Sequence, residues 1–228
     1  MMVQELEKNE SGQDLLTISN LTFGYTRKRT ILENLDFRVG KGEIIGISEE
    51  NGSGKSTLLK LLVGLLKSKK GTITRTGQLG YSPQDLLLFD NLTVLENFKV
   101  FGRGMGLSPG VVEQEAGRIM DRLKFPRYRD TPVKNLSGGT AQKLNFGISL
   151  LGDPDILVLD EPYQGMDYSS FLAFWEIQHE LRSKDKTVII VSHLIEDQSK
   201  FTRSLHLINK KLQACARKDC PVCCGDEP

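Results

Sequence analysis

The sequence predicts an α/β protein built on a largely parallel sheet. Three observations carry that prediction. An apolar run at Glu43–Ile47 passes through a glycine-bearing turn into a leucine-rich helical pattern at Lys55–Leu66. Two more short apolar runs, Asp155–Leu159 and Thr187–Val191, are separated by the amphipathic stretch Ser169–Arg182. Strands that alternate with helices in this way pair in parallel, and ligands to such sheets sit at the strands' carboxyl ends.

Taken in order, residues 1–14 form a polar lead, MMVQELEKNESGQD. Apolar residues at Leu15, Ile18, Leu21 and Phe23 fit an extended edge element, and Gly24 turns the chain before Tyr25. Ile31–Val39 alternates through Leu35, Phe37 and Val39, and Gly40 and Gly42 mark the next turn. Leucines 58, 61, 62 and 65 stripe one face of the helix expected over Lys55–Leu66. Gly71 opens a short strand, Thr72–Arg75, and Leu79–Ser82 is another. The character then changes. Val94–Phe101 and Val111–Leu123 are helical, with Gly102, Gly104, Gly106, Pro109 and Pro126 as punctuation, so a separate helical lobe is expected. Gly139–Leu151 is helical again, which extends that lobe over about residues 86–150.

The stretch GISEENGSGKSTL, residues 46–58, has the chemistry of a triphosphate site. Glycines 52 and 54 let backbone N–H groups approach an anion, and the following helix presents the positive end of its dipole. Lys55 supplies a mobile cation and Ser56 a hydroxyl for Mg²⁺, as in the pattern G-x-x-x-x-G-K-[ST]. Glu49 stands where that pattern has its first glycine. A carboxylate about 4 Å from a phosphate would cost roughly 4 kcal/mol at an effective dielectric of 20, so Glu49 is expected to face away.

Composition narrows the setting. Among 228 residues there are 30 Lys and Arg against 29 Asp and Glu, a net charge of +1 that argues against a strongly basic nucleic-acid surface. No apolar stretch approaches the roughly 20 residues of a membrane span, and the polar, acidic start resembles neither a signal nor a transit peptide. A cytoplasmic location is therefore expected.

Two further motifs identify the chain as similar to a family. Ile156-Leu157-Val158-Leu159-Asp160-Glu161 looks like a Walker B motif, four apolar residues before two acids, and Leu136-Ser137-Gly138-Gly139-Thr140-Ala141-Gln142 resembles the LSGGQ signature, with Thr140 in place of glutamine. Together with the phosphate loop, in this order, they resemble the nucleotide-binding domain of ATP-binding cassette (ABC) transporters from about Leu15 to Leu212. The resemblance implies a P-loop NTPase fold with a RecA-like core, a small antiparallel β subdomain and a helical signature subdomain. The domain would span residues 15–213, followed by a tail at 214–228.

The resemblance also implies roles. Tyr25 matches the aromatic that stacks on adenine. Asn51, Gly52, Ser53, Gly54, Lys55, Ser56 and Thr57 match the ATP phosphate contacts, while Ser56, Gln84 and Asp160 match the Mg²⁺ contacts. Glu161 matches the glutamate that polarises water, Gly165-Met166-Asp167 the D-loop, and His193 the switch histidine at the γ-phosphate. Gln84 and Lys55 complete the hydrolytic set. Ser137, Gly138 and Gly139 match the signature that touches ATP held by an opposite subunit, so a second nucleotide-binding subunit, identical or different, is implied. A transmembrane permease partner is implied as well, placing the chain at the inner face of the cell membrane.

The lack of a regulatory domain beyond Leu212 and the segment Phe89–Asn97 look like subunits that serve exporters. A soluble ABC ATPase and a low-activity partner of a second cassette are the alternatives. Cys215, Cys220, Cys223 and Cys224 lie outside the family pattern. The Cys220-Pro221-Val222-Cys223 spacing is that of a zinc knuckle; the tail reads as a disordered run of reduced thiols or as a metal site completed by another chain, with a disulfide or a lipid attachment as further alternatives.

Overall fold

The computed structural model describes residues 14–26, 29–49, 54–192 and 198–214. Near the start, strands β1 (Leu16–Phe23), β2 (Leu32–Val39) and β4 (Lys70–Arg75) form an antiparallel sheet in the order β2-β1-β4. Its register pairs like with like: Leu16 opposes Val39, Ile18 opposes Phe37 and Leu21 opposes Leu35. Leu16 and Ile18 share a face by the period of two, and the irregularity between Ile18 and Leu21, where Asn20 takes φ +49°, lets Leu21 join the same core.

The larger sheet contains β3 (Ile44–Glu49), β5 (Leu79–Ser82), β6 (Ile156–Asp160), β7 (Thr187–Val191), β8 (Arg203–Ile208) and β9 (Lys211–Ala214), in the order β5-β6-β7-β3-β8-β9. Neighbours run parallel except β8 and β9. Strand β3 is thus flanked by β7 and β8, and the carboxyl ends of β3, β5, β6 and β7 fall along one rim.

Side chains on β6 and β7 alternate between two cores. Leu157, Leu159, Val188 and Ile190 face one, with α4 (Gly138–Ser149), α5 (Tyr168–Ser183), α2 (Val94–Gly104) and α3 (Pro109–Arg122). Ile156, Val158, Ile189 and Val191 face the other, with α1 (Lys55–Leu62) and the antiparallel sheet. A sheet buried on both faces explains why β6 and β7 read as unbroken apolar runs.

Helix α2 begins with a capping box, Thr93 Oγ1 accepting from the Glu96 amide while Glu96 Oε2 accepts from the Thr93 amide. Helix α1 is shorter than its leucine stripe predicts. It ends at Leu62 because Gly64 adopts φ +85°, and Leu65 is left exposed. Strands β8 and β9 are not evident in the sequence, since β8 carries Arg203, Ser204 and His206 among its leucines. The cysteines of the tail lie outside the described residues.

Candidate functional site

The rim of parallel strand ends gathers residues far apart in the chain. Gly54 caps α1 with φ +115°, in the left-handed region, and a Cβ there would stand 2.7 Å from Ile31 Cγ2. Lys55, Ser56 and Thr57 then occupy the first turn of α1, which holds no acidic residue, so the helix start and its dipole favour an anion.

Opposite them, β6 ends in Asp160 and Glu161 follows it, both 5% exposed. Glu161 sits at φ +46°, a conformation with a cost for a non-glycine residue, and its amide donates to Val191 O at 2.9 Å. That kink turns its carboxylate inward. Glu161 Oε1 lies 3.6 Å from Lys55 Nζ, and Glu161 Oε2 accepts from Ser192 Oγ at 2.9 Å. The buried acids, a lysine and a helix start thus meet in one place, although Lys55 and Glu161 are far apart in sequence.

Gln84 is exposed just beyond β5. The chain that delivers it is pinned by Asn145 of α4, whose Nδ2 donates to Ser82 Oγ at 2.9 Å and to Pro83 O at 2.8 Å. Burial, then the carboxylates of Asp160 and Asp85, push the neighbouring Tyr81 phenol up to about 12, so it stays protonated. On the other side, Tyr25 packs edge-on against Phe23, ring centroids 5.3 Å apart, and its hydroxyl is 3.2 Å from Thr57 Oγ1.

The signature residues start α4. Ser137 caps the helix through the Thr140 amide at 3.3 Å and shares a 2.9 Å hydrogen bond with Thr140 Oγ1, a partner that exists because position 140 is threonine. Among the described residues nothing lies within 4 Å of a Cβ on Gly138, whereas a Cβ on Gly139 would stand 2.3 Å from Gly165 O. One turn later Gln142 Nε2 donates to Glu161 O at 3.3 Å and Pro162 O at 3.2 Å, and Lys143 Nζ donates to Asp167 Oδ2 at 2.8 Å. Helix α4 therefore grips the segment from Glu161 to Asp167 at three points.

Asp167 also caps α5. The Lys143 ammonium, then the Ser169 and Ser170 hydroxyls, hold its carboxyl well below the usual carboxylate range. The spacing of motifs does not reveal Gln142, Lys143, Asn145 or Ser192, because their partners lie in other elements; only their proximity to the signature and to His193 could have drawn attention. Asn51, Gly52, Ser53, His193 and the Glu49 side chain lie outside the described part of the structure.

Beneath the phosphate loop, Ser48 of β3 and His206 of β8 face each other in register, Oγ to Nδ1 at 2.5 Å. Burial lowers the His206 imidazole below its ordinary value. Between the lowered value and about 6.5 the unfolded chain binds a proton that the folded chain does not, so stability rises with pH there and is lost on acidification. Urea midpoints measured from pH 7 to pH 5 are expected to fall, and less steeply in His206→Gln.

Mg²⁺ takes few protein ligands and keeps its waters. The exposed Ser56 hydroxyl beside a phosphate-binding helix start, with the buried Asp160 across the rim, suits it. Among the described residues no group of three or more His, Cys, Asp or Glu side chains forms a closed metal cage.

A helix start made for phosphate, facing paired acids at the end of a parallel strand, defines a P-loop ATPase domain. The ABC transporter family model matches residues 32–164, more than half of the chain, and the chain belongs to that family as an ATP-binding cassette. It is 30% identical over 195 residues to an uncharacterised ABC transporter ATP-binding protein of Methanocaldococcus jannaschii, covering 86% of this chain and 74% of that protein. It is 35% identical over 223 residues to human ATP-binding cassette sub-family A member 10, covering 90% of this chain and 14% of that protein. With Nod factor export ATP-binding protein I of Ralstonia nicotianae it shares 31% identity over 211 residues, 86% of this chain and 64% of that protein. The chain thus spans less than two thirds of the last two.

A solved ATP-binding subunit of an ABC transporter superposes with a TM-score of 0.81 at 25% identity, covering 88% of this chain and 90% of the other. A dimeric ATP-binding cassette in a post-hydrolysis state bound to ADP and Pi shares the fold, with a TM-score of 0.78 at 22% identity over 89% of this chain and 100% of that one.

Proposed function

We propose that the chain is the ATP-hydrolysing subunit of a membrane exporter, in which ATP-driven closure of two cassettes and subsequent hydrolysis move a transmembrane partner. The observation that carries this reading is the meeting of Lys55, Asp160, Glu161 and Ser192 at the strand ends. The export direction draws on the relative named for Nod factor export, and the paired arrangement on the dimeric neighbour.

In this reading Tyr25 stacks on adenine, and the amides of residues 51–57 with Lys55 hold the phosphates. Ser56, Gln84 and Asp160 hold Mg²⁺, which supplies charge neutralisation at the β and γ oxygens. Glu161 accepts a proton from the attacking water as its oxygen bonds the γ phosphorus, the bond to the β-phosphate oxygen breaks, and His193 steadies the γ oxygens. Ser137, Gly138 and Gly139 reach the nucleotide of the opposite cassette. The cassette spans residues 15–213 with its helical part over about 86–150, and it works at the inner face of the membrane. The translocation path is assigned to the transmembrane partner; among the described residues no helix is long and apolar enough to cross a membrane.

Tagging the chain in its native cell and purifying from mildly detergent-solubilised membranes tests the proposal. A stoichiometric multi-span protein is expected to co-purify. A chain recovered only from the soluble fraction, without such a partner, would contradict it.

A further inference from the structure

We propose that Lys69 is a positioning residue for nucleoside recognition, holding Tyr25 in place through the main chain; this rests on reading Tyr25 as the adenine platform. Tyr25 lies two residues past the end of β1, outside the paired strand itself. Lys69, immediately before β4, crosses to this turn. Its Nζ donates to Gly24 O at 2.7 Å, reaches Tyr25 O at 3.4 Å, and lies 5.8 Å from the centre of the Phe23 ring. The turn is tight: a Cβ on Gly24 would stand 2.2 Å from Arg29 O, and Thr26 bridges to Arg29.

Three ties therefore hold Tyr25. Phe23 supports the ring edge, Thr57 engages the hydroxyl, and Lys69 fixes the two carbonyls that flank the Tyr25 amide and Cα. The hydroxyl tie is the vulnerable one. Thr57 lies in the first turn of α1, where a phosphate would compete for the same oxygen. Once nucleotide enters, the Lys69 tie and the Phe23 contact are what keep the ring presented, half exposed as it is. A cation across two carbonyls also reduces the conformational freedom the ring would otherwise lose on stacking. Lys69 thus acts on the nucleoside end of the ligand and leaves the phosphate end to the loop and Lys55.

Titration of the full chain with a non-hydrolysable ATP analogue and, separately, with inorganic tripolyphosphate at about 0.15 M salt separates the two ends, since exposed charges are largely screened there. Lys69→Met is expected to weaken the nucleotide about three- to tenfold and to leave tripolyphosphate unchanged. Tyr25→Ala is expected to weaken the nucleotide about tenfold or more, and Lys69→Met added to it should weaken binding no further. Lys69→Arg, which keeps the donors, should restore most of the affinity. Equal losses for both ligands would make Lys69 a general phosphate-attracting charge and overturn the proposal, as would an inert Lys69→Met beside a damaging Tyr25→Ala. If Tyr25→Ala itself left nucleotide affinity unchanged, the adenine-platform reading would fall first, and the role of Lys69 with it.

Discussion

Glu161→Gln is expected to lower ATP turnover by about 10²- to 10⁴-fold, the usual range for removing a general base, while nucleotide binding is kept or strengthened. The direction of the binding change follows from the geometry. With Glu161 Oε1 3.6 Å from Lys55 Nζ, the lysine that would serve the phosphates is held by a neighbouring carboxylate. The gross attraction at that separation is roughly 5 kcal/mol at an effective dielectric of 20, much of it cancelled by the desolvation of two buried charges. Glutamine is nearly isosteric and can still meet Ser192, yet it releases the lysine. Turnover measured beside equilibrium binding checks both halves: a variant that hydrolyses at the wild-type rate removes Glu161 from its role.

Gly139→Ala is expected to damage both fold and activity, while Gly138→Ala damages activity alone. A methyl group on Gly139 would have to stand 2.3 Å from Gly165 O, so α4 or the segment around Gly165 must move. Overpacking of this kind costs about 1–3 kcal/mol, roughly 3–10 °C in melting temperature for a domain of this size. The same displacement would disturb Gln142, which holds the Glu161 and Pro162 carbonyls, and Lys143, which holds Asp167. Among the described residues nothing comes within 4 Å of a Cβ on Gly138, so a methyl group there is not expected to disturb the packing of α4. Melting curves and turnover of the two variants, side by side, check the distinction. A Gly139→Ala protein with wild-type melting and turnover would mean that α4 is not braced against its own D-loop.

The parts of the fold that were legible are those whose signal is local. Leu79–Ser82 and Thr187–Val191 are strands to the residue, and for the second a short apolar run buried on both faces leaves little alternative. Long-range contacts were not legible. No spacing rule ties Asn145 to Ser82 across 63 residues, or Gln142 to the carbonyls of Glu161 and Pro162. Strand β8 was missed because His206 interrupts its apolar pattern, and its imidazole meets Ser48 across the sheet. The candidate site divides the same way: the motifs placed Lys55, Asp160 and Glu161 at strand ends, whereas the kink at Glu161 and its hold on Lys55 emerge only from the packed rim.

Steady-state ATP hydrolysis by the purified chain, followed as its own concentration is raised, tests the central claim most directly. If two cassettes close over nucleotide, turnover per chain rises with chain concentration toward a plateau, requires Mg²⁺ and disappears in Glu161→Gln. Absence of hydrolysis at every concentration, or a rate that Glu161→Gln leaves unchanged, would contradict the account.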